Sequence, residues 1–148
     1  MKAQLTIGVF AMIFDAEDRV LLCHRRDHDV WNLPGGGLES GETPWDAVKR
    51  EVREETGLDV KISKLTGVYS KQDKDELVFS FICTVIGGEI TLNLEADRIE
   101  YFGIDKLPTN TIPKQVERIN DAVRSPDSIF LKVQTGKSSV ERIKEGEL

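Results

Sequence analysis

Apolar and polar positions alternate along this chain in blocks that predict its elements. Residues 4–14 (QLTIGVFAMIF) are rich in β-branched and aromatic types and predict a strand. Residues 19–25 (RVLLCHR) predict a second, with the polar turn DAED between them. A loop over 26–30 leads to a glycine turn. Residues 58–69 predict a third strand, because Val60, Ile62 and Leu65 recur among polar neighbours. A charged loop follows (KQDKDE, 71–76), and then a nearly continuous apolar run (LVFSFICTVI, 77–86) suited to the centre of a sheet. Gly87 and Gly88 are expected to turn the chain, and residues 99–104 (IEYFGI) to form a further strand.

Two amphipathic helices stand out. In the first, Thr43 is a good N-cap, Pro44 sits where no first-turn N–H is needed, Asp46 places an acid in the first turn, and Gly57 fits a C-cap. With residues advancing by about 100° each, Trp45, Val48 and Val52 fall on one stripe, expected to be buried. Asp46, Lys49 and Arg53 fall on a solvated arc. Glu51, Glu54 and Glu55 cluster on a third arc, and Arg50 precedes Glu54 by four residues and can bridge to it. The second helix spans 113–124, with Val116, Ile119, Ala122 and Val123 at helical spacing. The tail from about 136 to 148 is charged; Ser138 with Glu141 can cap a short helix there, and a frayed end is the alternative. Strands and helices interleaved in this way predict an α/β fold in a single domain over residues 1–148.

Composition narrows the function classes. The 148 residues are 39% hydrophobic and 31% charged, with a formal net charge of −6. That balance argues against a sequence-independent grip on a nucleic-acid polymer, which needs Lys and Arg against phosphates. No run approaches the roughly 18 apolar residues that predict a membrane span, and the N-terminal residues lack the apolar core of a secretion signal. Cys23 and Cys83 sit inside strand-like runs without metal-ligand spacing; both are expected as buried thiols in a reducing compartment, the cytoplasm.

Like charges at i,i+4 destabilise an isolated helix by roughly 0.2–0.5 kcal/mol per pair. The acidic arc could be an ordinary solvated face. Yet Lys49 and Arg53 already belong to a separate mixed-charge face, and the preceding LPGGGLE stretch offers backbone that a ligand can approach closely. A hard divalent cation would turn the repulsion between these carboxylates into attraction.

Gly36, Glu42, Arg50, Glu51, Val52, Glu54, Glu55, Gly57 and Leu58 occupy every defined position of a known signature, so this segment resembles that of the Nudix hydrolases. The resemblance implies a mixed, curved sheet between helices, with the signature as a loop–helix–loop. It also implies metal-dependent hydrolysis of a nucleoside diphosphate linked to another moiety, with Mg²⁺ or Mn²⁺. Glu51, Glu54 and Glu55 match the family's metal-binding glutamates, and the Gly36 carbonyl a backbone ligand. Arg50 is expected to orient one of those carboxylates, and Glu42 to give structural support. The resemblance leaves monomer and homodimer open, and the partner is a small nucleotide-type substrate.

The general base is expected at Glu51 or at a downstream acid, with Glu95, Asp97 and Glu100 as the local options. Trp31, placed in a loop, is a candidate to stack on a base; Tyr69 and Phe102 fit sheet packing better. His24 and His28 are candidates to contact phosphate or act as bases. Residues 72–74 (QDK) lack the proline that family members splitting ADP-ribose often carry there, Tyr69 comes too early for the dinucleoside-polyphosphate pattern, and the NADH and coenzyme A signatures are absent. That leaves a nucleoside triphosphate or an NDP-linked metabolite, with a noncatalytic nucleotide-sensing module as the alternative function.

Overall fold

The computed structural model describes residues 1–148, the side chain of Val140 apart. In chain order the elements are β1 (Thr6–Ile13), β2 (Val20–Arg25), β3 (Trp31–Asn32), β4 (Gly35–Gly37), α1 (Pro44–Thr56), β5 (Leu58–Lys71), β6 (Glu76–Gly88), β7 (Ala96–Phe102), α2 (Pro113–Arg124), β8 (Phe130–Val133) and α3 (Ser139–Lys144). Five strands form a mixed sheet in the order β4-β1-β6-β5-β8, with β1–β6 and β5–β8 parallel. The other three form an antiparallel sheet, β3-β2-β7. The apolar run 77–86 lies in β6, the middle strand, as its lack of polar alternation predicts.

Alternation along β1 divides the core. Val9, Ala11 and Ile13 pack with Val48 and Val52 of α1, whereas Met12 packs with Leu22, Leu33 and Ile119 on the α2 side. The mixed sheet is thus covered by a helix on each face. Cys23 and Cys83 are both buried and free, and burial pushes both thiols up.

Local signals account for the helix ends. The Thr43 hydroxyl accepts from Asp46 N–H at 3.1 Å, and the Gly57 N–H donates to Arg53 O. Ser138 and Glu141 form a reciprocal capping box, which resolves the tail in favour of a short helix.

Four expectations change. The buried stripe of α1 is Ala47, Val48, Val52 and Thr56, while Trp45 is 54% exposed. At about 100° per residue Glu51 and Glu55 fall between Ala47 and Val48, so these two glutamates share the sheet-facing arc; Trp45 falls at the angle of Val52 and Thr56 but in the first turn of the helix, where it is left exposed. Gly87 and Gly88 do not turn the chain; they pair with Asp59 and Leu58. Gly88 has φ 74° and its Cβ position lies 2.3 Å from Gly57 O, a close approach of β6 to β5 that only glycine permits. Val123 is exposed, whereas the polar Gln115 and Arg118 are on the buried face of α2. Trp31 lies in β3, not in a loop, and is 4% exposed. No helix among the described residues is long and apolar enough to cross a membrane.

Candidate active site

Antiparallel pairing of β4 with β1 sets Gly35 opposite Phe10 and Gly36 opposite Val9, fixing the glycine turn against the first strand. α1 then lays its carboxylates onto that turn. The Gly35 N–H donates to Glu55 Oε2 at 3.1 Å. A Cβ on Gly36 would sit 2.6 Å from Glu51 Oε1, so the carboxylate packs where any other residue would place a side chain. Both glycines and Glu55 line a cleft of about 590 Å³.

Arg50 organises the acidic arc. It grips Glu42 through Nε at 2.7 Å and Nη2 at 2.9 Å, and Nη1 reaches Glu51 and Glu54 at 3.1 Å each. Its Nη2 also donates to Gly37 O at 3.2 Å, tying helix to turn. Arg50 thereby bonds to Glu51 and Glu54, as expected, and Glu42 supports the site from behind. The Glu42 carboxylate holds the guanidinium well above its ordinary range, and Arg50 in return draws Glu42 down.

The glutamates differ sharply in environment. Glu54 is exposed, whereas Glu51 and Glu55 are partly buried. Burial raises Glu51, opposed by Arg50 and reinforced by Glu54 and Glu95. Burial pushes Glu55 up to about 8, opposed by the Gly35 N–H and reinforced by Glu51, Glu95 and Glu54. Among the described residues no three histidine, cysteine or acidic side chains already converge on one point, and Arg50 is bonded to both Glu51 and Glu54. The donor set nevertheless fits a hard divalent ion. It is all oxygen, anionic, pinned at Glu55 by a backbone N–H, and free of obstruction at Gly36.

Of the downstream acids, Glu95 lies in the cleft and Glu100 does not. Glu100 sits on β7 and is paired with Arg98 at 2.7 Å. Asp97 is bonded to His24 Nδ1 at 2.7 Å. The Glu95 loop is held by Asn93, a residue the sequence reading did not single out. Its side-chain Nδ2 donates to Glu55 O, and its Oδ1 accepts from the Glu95 and Ala96 N–H groups at 2.8 and 2.9 Å. Arg26 reinforces the loop, donating from Nε to Asn93 O at 2.7 Å. An Asx turn is readable from Asn93 and its neighbours, but the bond to Glu55 spans 38 positions and carries no local signal.

The aromatic and histidine candidates fill other roles. Trp31 packs edge-on to Phe102 and His24, with ring centroids 4.9 and 5.1 Å away, and Arg98 lies over its ring. It has no face free for a base. Tyr69 is fully buried and donates its hydroxyl to Asp121 at 2.9 Å. His24 lines the cleft but faces carboxylates at both ring nitrogens, Asp97 at 2.7 Å and Asp29 at 2.8 Å. Two acceptors call for two N–H donors, so the ring is a cationic clamp rather than a base. His28 lies outside the cleft, with Asp27 at 3.9 Å.

Comparison with known proteins agrees with this geometry. The NUDIX domain family model matches residues 4–122. An ADP-ribose pyrophosphatase of Methanocaldococcus jannaschii is 40% identical over 103 residues, covering 65% of this chain and 61% of that protein's length. A MutT-like protein of Streptomyces ambofaciens is 32% identical over 118 residues, 80% of this chain and 77% of the other. The crystal structure of an ADP-ribose pyrophosphatase from Streptococcus suis superposes with a TM-score of 0.71 at 27% identity, over 87% of this chain and 98% of that one.

Proposed function

The chain belongs to the Nudix family and is a Nudix-type pyrophosphohydrolase; from that premise we propose that it splits the diphosphate of a nucleoside diphosphate linked to a second moiety. Water adds its oxygen to one phosphorus, the P–O–P bridge breaks, and the bridging oxygen leaves with the other phosphorus. A nucleoside monophosphate and a phosphorylated second moiety result. Two of the relatives above are named for ADP-ribose, a compound of this class, which returns it to the candidate substrates despite the missing proline after the signature.

The observation that carries this reading is the Glu55 carboxylate, half-buried in the cleft against Gly35 with Glu51 and Glu54 beside it. Glu51, Glu54, Glu55 and the Gly36 carbonyl would hold Mg²⁺ or Mn²⁺, which when bound neutralises diphosphate charge and acidifies water. Arg50 keeps Glu51 and Glu54 aligned along one edge of the site. Glu95 is the acid placed to accept a proton from the attacking water. It lies in the cleft, is held on the Asn93 turn, and is not committed to a basic partner as Glu51 is to Arg50. Cleft-lining Arg26 supplies positive charge for the substrate's phosphates, whereas Arg25 is already paired with Asp27 at 2.6 Å.

Product analysis over nucleoside triphosphates, ADP-ribose, NDP-sugars, NADH and dinucleoside polyphosphates tests the proposal, with Glu55→Gln as the blank. NDP-linked compounds are expected to turn over fastest, yielding a nucleoside monophosphate. Triphosphate hydrolysis with no NDP-linked turnover would overturn the substrate class. Ligand binding without any turnover would favour a sensing role.

A further inference from the structure

The cleft that holds Gly35, Gly36 and Glu55 is also lined by Phe10, Cys23, Asn32, Ile112 and Gln115, none of which diphosphate chemistry uses. Cys23 and Asn32 are partners across β2 and β3, and Phe10 is the partner of Gly35 across β1 and β4. Leu33, the neighbour of Asn32, comes two positions before Gly35, so at most about 7 Å of chain separates them. These side chains therefore stand beside the glutamate end of the cleft.

Gln115 lies in the first turn of α2 and is 5% exposed. Its side-chain Oε1 accepts the Leu33 N–H at 2.5 Å. A backbone N–H can only donate, so the amide atom facing it must be the oxygen and the NH2 group points the other way. That Nε2 makes no hydrogen bond among the described residues, although Gln115 lines the cleft. The fold thus holds a buried donor in one fixed sense and leaves it unpaired.

Asn32 supplies the opposite polarity. It lines the same cleft, and its Oδ1 is buried with no hydrogen-bond partner among the described residues. An acceptor left in that state is costly, and a ligand that brings a donor offsets the cost. Around the two amides the lining is apolar, with Phe10, Ile112 and the Cys23 thiol, whose pKa burial pushes up. A flat, uncharged group with an acceptor and a donor on one edge matches this lining, as a phosphate does not.

We propose that this part of the cleft is the nucleobase subsite, where Gln115 Nε2 donates to a ring-nitrogen or carbonyl acceptor of the base and Asn32 Oδ1 accepts from a base N–H. Gln115 is then a specificity-determining residue, because its NH2 cannot change places with its oxygen without breaking the Leu33 bond. The inference deepens the NDP-linked reading and sets the nucleoside half of the substrate against β3 and α2.

Nucleoside monophosphates have no diphosphate bridge to split, so calorimetric titration with Mg²⁺ present gives their Kd values directly. AMP, GMP, CMP and UMP are compared with ribose 5-phosphate, a phosphorylated sugar without a base. At least one monophosphate is expected to bind the wild-type protein about tenfold tighter than ribose 5-phosphate, a difference within reach of one or two hydrogen bonds. Gln115→Glu keeps an oxygen for the Leu33 N–H but removes the free NH2. It is expected to bring that ratio near one by weakening the monophosphate, and to act on the KM of the hydrolysed substrate rather than on kcat. Gln115→Met, which lacks the amide altogether, should do the same. Equal wild-type affinities for all five ligands, or a ratio unchanged in both variants, would overturn the subsite. Failure of the NDP-linked reading shows separately, as triphosphate-only turnover in the substrate panel, and would leave the preference among monophosphates in place.

Discussion

The Asn93 side-chain amide donates to the backbone carbonyl of Glu55, fastening the loop that carries Glu95 to the helix that carries the buried glutamate. The same side chain accepts the Glu95 and Ala96 N–H groups, so one residue sets both the shape of the loop and its seat. Asn93→Ala is expected to lower kcat by about 10- to 100-fold, since a displacement of about 1 Å costs that much at a reacting centre. Its effect should vanish in a Glu95→Gln background if Asn93 acts only through Glu95. Full additivity of the two substitutions in kinetic assays would refute that dependence.

Glu55 links the site to stability. Its folded-state pKa is raised from 4.5 to about 8, so the folded chain holds a proton that the unfolded chain releases. Stability of the metal-free protein therefore falls as pH rises through that window. Glu55→Gln mimics the protonated form and is expected to raise Tm over wild type at about pH 8 but hardly at about pH 4.5. The same variant should lose turnover by orders of magnitude and lose the Tm increase that Mg²⁺ or Mn²⁺ gives the wild type. Thermal melts with and without metal read all three effects.

His24 has the opposite chemical type but the same direction of shift. The Asp29 hydrogen bond raises it most, burial opposes, and Asp97 adds to the rise. A histidine raised above its unfolded value of 6.5 contributes stability that is fully present below that pH and lost as pH climbs through the folded value. The Tm difference between wild type and His24→Gln should thus be largest near about pH 5.5 and smallest near about pH 9. A difference independent of pH would mean that packing against Trp31, not charge, is what His24 contributes.

Gly36→Ala places a methyl group 2.6 Å from Glu51 Oε1. The carboxylate must rotate away, so activity is expected to fall about 100-fold with the fold retained. Far-UV circular dichroism and single-turnover kinetics on the variant separate the two effects. Unaltered turnover would show that the Glu51 position seen here is not the working one.

Trp45 makes a contrasting case. With 54% of it exposed, Trp45→Gln is expected to change stability by no more than about 0.5 kcal/mol in a denaturant titration. A loss of several kcal/mol would restore it to the core, where helical spacing alone had put it.

What the sequence determined by itself was local. The caps of α1 and α3, the centrality of β6, the free buried cysteines and the signature residues all follow from patterns within one element, where neighbours along the chain are neighbours in space. The glutamate cluster belongs here too, because a helix brings residues three and four apart together whatever surrounds it. Tertiary structure decided the rest. β3, β4 and β8 are too short, or too rich in glycine, to show a period, and they exist because a longer strand offers them an edge. Glu51 and Glu55 are taken in at the glycine turn, and Trp45, on the buried arc by angle, is left exposed in the first turn of α1. Asn93 against Glu55, His24 between Asp29 and Asp97, and Arg118 of α2 against Gln134 are contacts of 38, 5, 73 and 16 positions' separation. Hydrogen bonds and ion pairs depend on distance in space, and except within one element a chain order does not specify that distance until the sheets have formed.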